Sequence, residues 1–356
     1  MKKSYLTIAA MAACVSFASC SNEEIQSVDN HGSVLAVNKV GLEGVNSRAG
    51  ITATAFTNGE SLGLSIYRAY DGTTTVPTYT AYNDYETLPA ANVKYTQGAA
   101  GWTATQPIVL STVVGTVYAY YPYREYTALE TFTPSALPLF VNSAQGTGQS
   151  DGTVDADQTD YMWATPVEGL SNKVASVDLE MNHALAMVTF KFQQSQDGGD
   201  AYPGKGLVSK IVLANTDAST KKYIMAGNAT MNLADGKITL AQDAVNTGIT
   251  LTPAATEDSH SLMDVTAEEK LPRLLLYPVA EFGAQDVMVT ITLDGNDYKL
   301  NLPARTAGYK AGENYQYTFT MKGTELVLAN VAIKPWTAIE ANDGDLNLDD
   351  ESLIKQ

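Results

Sequence analysis

The chain has 356 residues, of which 45% are hydrophobic and 17% are charged, and its formal net charge at pH 7 is −17. This charge disfavours binding to nucleic acid or anionic lipid, because both are also negative. The length suits two domains of about 150 residues each.

The chain begins like a secretory signal peptide. Lys2 and Lys3 give a basic start, and the apolar stretch 5–17 follows. This stretch is shorter than the roughly 20 apolar residues that span a membrane. Small residues then lead to Cys20.

Residues 17–20, Phe-Ala-Ser-Cys, resemble a lipobox, in which a peptidase cuts before a cysteine that carries lipid. Phe17 stands where leucine is usual, and ordinary secretion with a chance cysteine is the alternative. We predict a signal peptide over residues 1–19 and a covalent lipid on Cys20, with no other cofactor. Cleavage there removes Cys14, so no disulfide can form within the exported chain.

The next residues, Ser-Asn-Glu-Glu at 21–24, predict the final location. Ser21 is not the aspartate that retains lipoproteins in the inner membrane. The acidic run is similar to the surface-export signal of lipoproteins in certain anaerobic Gram-negative bacteria. We therefore expect a cell-surface protein that is tethered to the outer membrane by its lipid.

Two strand-like runs, 33–42 and 51–56, flank the polar loop 44–50. Flexible polar loops are preferred protease sites. Arg48 followed by Ala49 would suit a trypsin-like enzyme, whereas an ordinary surface arginine is the alternative. The first run has enough apolar side chains for one strand of a core: Val34, Leu35, Val37, Val40 and Leu42.

Alternation of apolar and polar residues dominates the rest of the chain and predicts half-buried strands. The clearest segments are 116–123, 187–194, 287–293, 298–302 and 315–321. Asp235-Gly236 and Asp294-Gly295 lie between strand-like runs and predict tight hairpins. No long helical pattern is present, so we predict an all-β protein of the sandwich type.

Composition also divides the chain. Residues 142–160 are polar and glycine-rich and predict a long loop, whereas residues 165–173 are a better domain boundary. We therefore predict two domains followed by an acidic tail, with bounds 49–172, 173–336 and 337–356.

No catalytic residue and no metal site are predicted. Residues 59–63, Gly-Glu-Ser-Leu-Gly, match a serine-hydrolase pattern, but a strand-like run follows where that pattern requires a helix. His183 lies beside an apolar strand and is expected to be structural, and no histidine has a second ligand at zinc spacing. Three tryptophans are expected to pack at strand ends: Trp102, Trp163 and Trp336.

Several segments resemble the fimbrillin family. Four resemble its first domain, at 58–67 (NGESLGLSIY), 102–110, 117–123 and 160–165. The segment 179–192 (LEMNHALAMVTFKF) resembles the join to its second domain, and the segments 274–279 and 307–336 resemble its C-terminal end. Together, in this order and spacing, they cover about residues 50–336.

Fimbrillins are the subunits of type V pili, and related members serve as anchors, tips or surface adhesins. The resemblance implies two β-sandwich domains of transthyretin-like topology and no enzymatic activity. It also implies that an arginine-specific protease removes the lipidated segment 20–48, including the strand with Val34, Leu35 and Val37. A C-terminal strand of the next subunit then fills the groove. The implied partners are other pilin subunits, the protease, and a ligand on a host or bacterial surface.

The donated strand stays open. Residues 325–336 are strongly β-prone but also suit the last strand of the second domain. The tail offers Ile339, Leu346 and Leu348 as anchors, yet it is acidic, and a disordered tail explains it equally well. Without a donor strand, the chain would be a tip or anchor subunit.

A function of another class also fits, namely a permanently anchored, glycan-binding surface lipoprotein. That alternative requires an exposed aromatic platform around Trp102 or Trp163. The N-terminus on cells would separate the two, since a processed pilin begins at Ala49 and an anchored lipoprotein at acylated Cys20.

Overall fold

The computed structural model describes nine parts of the chain: residues 32–42, 56–68, 82, 90–126, 133–146, 158–195, 201–253, 262–266 and 271–336. All regular structure in these residues is β. Among them no helix is found that could cross a membrane. The prediction of an all-β protein is confirmed.

The described residues form 22 strands. Those before residue 184 are β1 Ser33–Val34, β2 Ala36–Leu42, β3 Ser61–Arg68, β4 Val93–Gly98, β5 Gly101–Ala104, β6 Val109–Leu110, β7 Gly115–Tyr121, β8 Leu137–Val141, β9 Ala144–Gln145, β10 Met162–Ala164, β11 Val167–Leu170 and β12 Ser176–His183. The later strands are β13 Ala186–Gln194, β14 Val208–Asn215, β15 Gly227–Met231, β16 Ile238–Leu240, β17 Ile249–Leu251, β18 Arg273–Leu276, β19 Val287–Leu293, β20 Asn296–Asn301, β21 Glu313–Lys322 and β22 Glu325–Pro335.

Most strands of the first half form one eight-stranded sheet. Its order is β2-β12-β10-β7-β3-β4-β5, and β11 pairs with β7. Strand β3 is buried on both faces, and in its sequence the apolar residues Leu62, Leu64 and Ile66 alternate with small ones. A first core packs on this sheet, and it includes Leu62, Leu64, Ile66, Val117 and Leu179.

A second core lies between two sheets of the second half. One sheet has the order β18-β13-β21-β22 and the other β20-β19-β14-β17-β9. Phe190 and Phe319 from the first sheet share this core with Ile211 and Ile291 from the second. Facing sheets that interdigitate their inner side chains form a β-sandwich.

This arrangement does not test the predicted domain boundaries. It does show that two strands of the predicted first domain join sheets of the second half. Strand β8 pairs with β15, and β9 pairs with β17, so both lie on sheets of the second half. Part of the polar stretch 142–160 is therefore buried: Gln145 bonds to the backbone of Leu275 in both directions, at 2.8 and 2.9 Å. Amide side chains suit this role because they both donate and accept.

Both predicted hairpins are present, although only the second has a two-residue turn. Asp235-Gly236 joins β15 to β16, and Asp294-Gly295 joins β19 to β20. Asp294 and Gly295 have φ values of 47° and 81°. Two consecutive positive φ values are the signature of a turn whose twist matches the flanking strands.

Candidate functional site

The N-terminal segment 33–42 lies at an edge of the first half. Strand β2 is the terminal strand of the eight-stranded sheet and pairs with β12 in a parallel arrangement. Strand β1, immediately before it, pairs antiparallel with β6 in a separate two-stranded sheet. The chain therefore changes sheets at Leu35, and its backbone N–H donates to the Ile108 carbonyl at 2.8 Å.

This segment contributes three side chains to the first core. Leu35, Val37 and Val40 are buried, at 2%, 6% and 3% exposure. Val34 is 55% exposed, contrary to the expectation that it fills a place in the core. The reason is alternation, since Val34 and Leu35 are consecutive and face opposite sides of the strand.

A one-residue bulge explains the uneven spacing of the buried residues. Val37 pairs with Val177 and Lys39 with Asp178, so Asn38 has no position opposite it. Strict alternation would point Lys39 into the core. The extra residue turns Lys39 outward and places Val40 inside instead.

A buried tyrosine that the sequence analysis did not identify also holds the N-terminal segment to the first core. Tyr95, on β4, is 1% exposed, and its hydroxyl donates to the Leu35 carbonyl at 3.2 Å. Burial raises the pKa of Tyr95 to about 12, because the phenolate would lose its hydration. In the sequence, Tyr95 stands at an apolar position of an alternating pattern. This position indicates that the ring is buried, but it does not indicate the hydrogen bond to Leu35.

This tyrosine predicts a specific loss of stability at alkaline pH. Below the ordinary pKa of about 10, Tyr95 is protonated in both the folded and unfolded states and adds no pH dependence. As pH rises towards about 12, only the unfolded state loses the proton, so stability falls by up to about 3 kcal/mol from this group. Urea unfolding of the parent and of Tyr95→Phe should show this extra fall in the parent alone. Equal pH profiles would contradict it.

The predicted processing and donor residues lie outside the described residues. These are Cys20, Arg48, Ala49, Ile339, Leu346 and Leu348. The described residues nearest to Arg48 on its two sides are Leu42 and Phe56, and Phe56 is 4% exposed. Its ring meets Trp102 and Tyr121 edge-on at 5.5 and 5.2 Å. The chain is thus anchored in the first core on both sides of Arg48.

Other predicted residues have structural surroundings. Ser61 opens β3 and lies 3.0 Å from the Thr96 hydroxyl, so a strand follows this serine, as the sequence predicts. His183 ends β12, with Nδ1 3.0 Å from Asp160 Oδ1, and its ring stacks on Trp336 at 4.3 Å. In the described ranges no group of three metal-binding side chains is found.

The tryptophans do not form an exposed platform. Trp102 is partly buried against the first core, and Trp163 is partly buried against the second. A Cβ added at Gly236 would lie 2.3 Å from Trp163 Nε1, so this ring covers the β15–β16 turn. The aromatic surface that the glycan-binding alternative requires at these residues is therefore not present.

Comparison with solved structures supports the fold. The chain is similar to a candidate cell adhesion protein from Bacteroides uniformis, with 19% identity and a TM-score of 0.56, covering 87% of this chain and 100% of that one. A candidate cell adhesion protein from Bacteroides ovatus has 14% identity and a TM-score of 0.57, covering 86% of this chain and 98% of that one. A fimbrial protein from Bacteroides vulgatus has 14% identity and a TM-score of 0.54, covering 85% of this chain and 99% of that one. No curated protein matches.

A family model gives the assignment. The model described as fimbrillin-like, a family of structural proteins rather than enzymes, matches residues 47–336. This range begins just after the N-terminal strand and ends at Trp336, the last described residue. The chain therefore belongs to the fimbrillin-like family.

Proposed function

We propose that the chain is a subunit of a cell-surface fimbria that is exported as a lipoprotein and polymerises by strand exchange. In this proposal lipid on Cys20 tethers the precursor to the outer membrane, and an arginine-specific protease cuts after Arg48. The observation that carries the proposal is the position of β1 and β2. They form an edge segment, buried through Leu35, Val37 and Val40, that precedes the cleavage site in the chain.

Loss of this segment would leave the sheet incomplete. Six residues of β12 pair with β2, and three of them, Val177, Leu179 and Met181, are buried core residues. An open edge with exposed core side chains recruits another strand. A strand from a second copy would restore both the ladder and the apolar burial. Since the donating and accepting surfaces differ, repeated contacts of this kind build a filament.

The spacing of apolar residues supports β22 as the donor rather than the tail. In the N-terminal segment the apolar residues that pack in the first core are Leu35, Val37, Val40 and Leu42, with steps of two, three and two. Strand β22 repeats these steps with Leu326, Leu328, Val331 and Ile333. It also carries an extra residue at the matching place, because Leu328 pairs with Phe319 and Asn330 with Thr318, skipping Ala329.

The tail anchors reproduce this pattern less well. Leu346 and Leu348 are two residues apart, but Glu351 occupies the position that Val40 would match. A carboxylate in an apolar groove carries a large desolvation penalty. Donation of β22 has a cost of its own, because this strand must leave its hydrogen-bonded ladder with β21. Binding of peptides from β22 and from the tail, measured in solution, decides which of the two is the donor.

Processing at Arg48 gives the direct test. We expect Arg48→Ala to stop maturation, so that cells accumulate the lipidated precursor and display no polymer on immunoblots run without heating. Two of the other arginines are less suitable substrates: Arg273 is 5% exposed, and the Arg305 guanidinium lies 4.2 Å from the Tyr315 ring centre. Lys39→Ala, an exposed change on the same segment, is the control and should mature normally. Normal maturation and assembly of Arg48→Ala would show that the role given to Arg48 is wrong.

A further inference from the structure

A cleft at one end of the second half has features that the strand-exchange proposal does not use. Its volume is about 520 Å³, within the range of roughly 300–1,000 Å³ that ligand sites occupy. Three loops converge on it. Tyr202 and Gly204 come from the loop before β14, Asn296 to Tyr298 from the start of β20, and Thr324 from the β21–β22 turn.

The carboxylate of Asp294 holds the walls of the cleft in place through its hydrogen bonds. Asp294 accepts hydrogen bonds from the Tyr202 hydroxyl at 2.6 Å and from the backbone N–H groups of Gly206 and Leu207 at 2.9 Å. These bonds hold the pKa of Asp294 below its ordinary value, in spite of its partial burial. The Tyr202 ring is thereby held in place at the cleft before any ligand arrives. Such preorganisation lowers the cost of binding.

The remaining polar groups of the cleft are open to a ligand. One oxygen of Asp297 accepts from the Thr292 hydroxyl at 2.6 Å. Its other oxygen, like the Thr324 hydroxyl, has no hydrogen-bond partner in the described part of the chain. The Asn296 amide makes only a 3.5 Å contact with the Asp294 carbonyl, at the limit for a hydrogen bond.

The chemistry of these groups defines the ligand class. A carboxylate accepts, an amide both donates and accepts, and so does a hydroxyl. This mixture matches vicinal hydroxyl groups, each of which donates and accepts, whereas a cation would need acceptors only. The half-buried rings of Tyr202 and Tyr298 offer apolar faces for the C–H face of a sugar ring. Two carboxylates, Asp294 and Asp297, would repel an anionic sugar.

We propose that this cleft binds a neutral pyranose sugar, with Tyr202 and Tyr298 against the ring and Asn296, Asp297 and Thr324 on its hydroxyl groups. The cleft is formed in the uncleaved chain, in which β22 still pairs with β21, so sugar binding requires neither cleavage nor strand exchange. A chain that fails to polymerise can therefore still bind sugar, and a chain with Asn296 or Asp297 substituted can still polymerise.

Titration calorimetry and ligand-observed NMR on the intact chain test this proposal. The probes are methyl glycosides of glucose, galactose, mannose and N-acetylglucosamine, with N-acetylneuraminic acid as the anionic comparison. At least one neutral glycoside should bind, and the anionic sugar should bind less tightly. Asn296→Ala should weaken binding about tenfold, in line with the loss of a hydrogen bond inside a binding site.

A matched control lies on the same strand. Asn301 is exposed at the other end of β20, so Asn301→Ala should leave binding unchanged. Tyr298→Phe keeps the ring and should retain affinity, whereas Tyr298→Ala should lose it. Tyr298 also packs against the second core, so Asp297→Asn provides a second, fold-preserving variant and should weaken binding.

Three results would each overturn the proposal. The first is that no neutral glycoside binds the folded chain. The second is that Asn296→Ala and Asp297→Asn bind as the parent does, or that Asn301→Ala loses affinity equally. The third is that methylammonium, a simple cation probe, competes for the cleft more strongly than any sugar.

Discussion

A chain that begins at residue 49 is expected to associate in solution, whereas a chain that begins at residue 32 stays monomeric. The shorter chain lacks the core side chains Leu35, Val37 and Val40, which are at most 6% exposed. Burial of each side chain of this kind contributes about 1.5–3 kcal/mol. The loss, roughly 5–9 kcal/mol, is comparable with the whole stability of a typical domain, about 5–15 kcal/mol.

Light scattering and urea unfolding of the two chains measure both effects. Deleting residues 1–31 is the matched control, because it removes the leader and tether but keeps the edge segment. A peptide of residues 32–42 should return the short chain to a stable monomer. If peptide 325–336 does so and peptide 337–356 does not, β22 is the donor. The opposite result favours the tail.

The Tyr95 hydroxyl gives an independent readout of the same groove. It donates to the Leu35 carbonyl, so removal of the segment leaves it without this partner and nearer to water. Its phenolic titration should then shift down towards the ordinary pKa and rise again when a peptide fills the groove. A short chain that remains a soluble, long-lived monomer with parental stability would contradict strand exchange.

Trp336→Ala is expected to lower the free energy of unfolding by about 3–5 kcal/mol, the usual cost of truncating a buried aromatic side chain. Trp336 is 7% exposed and follows the last strand of the second half. Its ring stacks at an 18° interplanar angle on His183, which ends a strand of the eight-stranded sheet. The substitution therefore removes contact between the two halves as well as core volume.

Calorimetry distinguishes these two consequences. The parent should unfold in one transition, whereas Trp336→Ala should unfold at a lower temperature and over a broader range, as the two cores separate. Trp336→Phe keeps an aromatic ring on His183 and should lose less. Parental unfolding of Trp336→Ala would show that the stacked pair does not join the halves.

The sequence was most informative where local rules decide the structure. Alternation located strands such as β13, β19 and β21, and the Asp-Gly pairs located two turns. The spacing of apolar residues also indicates the bulge at Asn38, because the three-residue step from Val37 to Val40 cannot fit a regular strand.

Long-range pairing could not be predicted from the sequence. Nothing local states that β2 lies parallel to β12, or that β8 joins a sheet of the second half. The buried residue Gln145 illustrates the same limit, since it resembles a loop residue until the Leu275 backbone supplies its partners. The sugar cleft depends on three turns far apart in the chain, so only the folded structure brings its residues together.

The bulge at Asn38 has a consequence for cells that make several kinds of fimbrial subunit. Under strand exchange, a foreign strand with a strict two-residue repeat would fit the first half of the groove and then point a solvent-facing side chain inward. Such a strand would bind loosely and dissociate, whereas a strand with the same irregular step would seat fully. A single unpaired residue would thus act as an identity check, sorting subunits into separate filaments without any dedicated recognition protein.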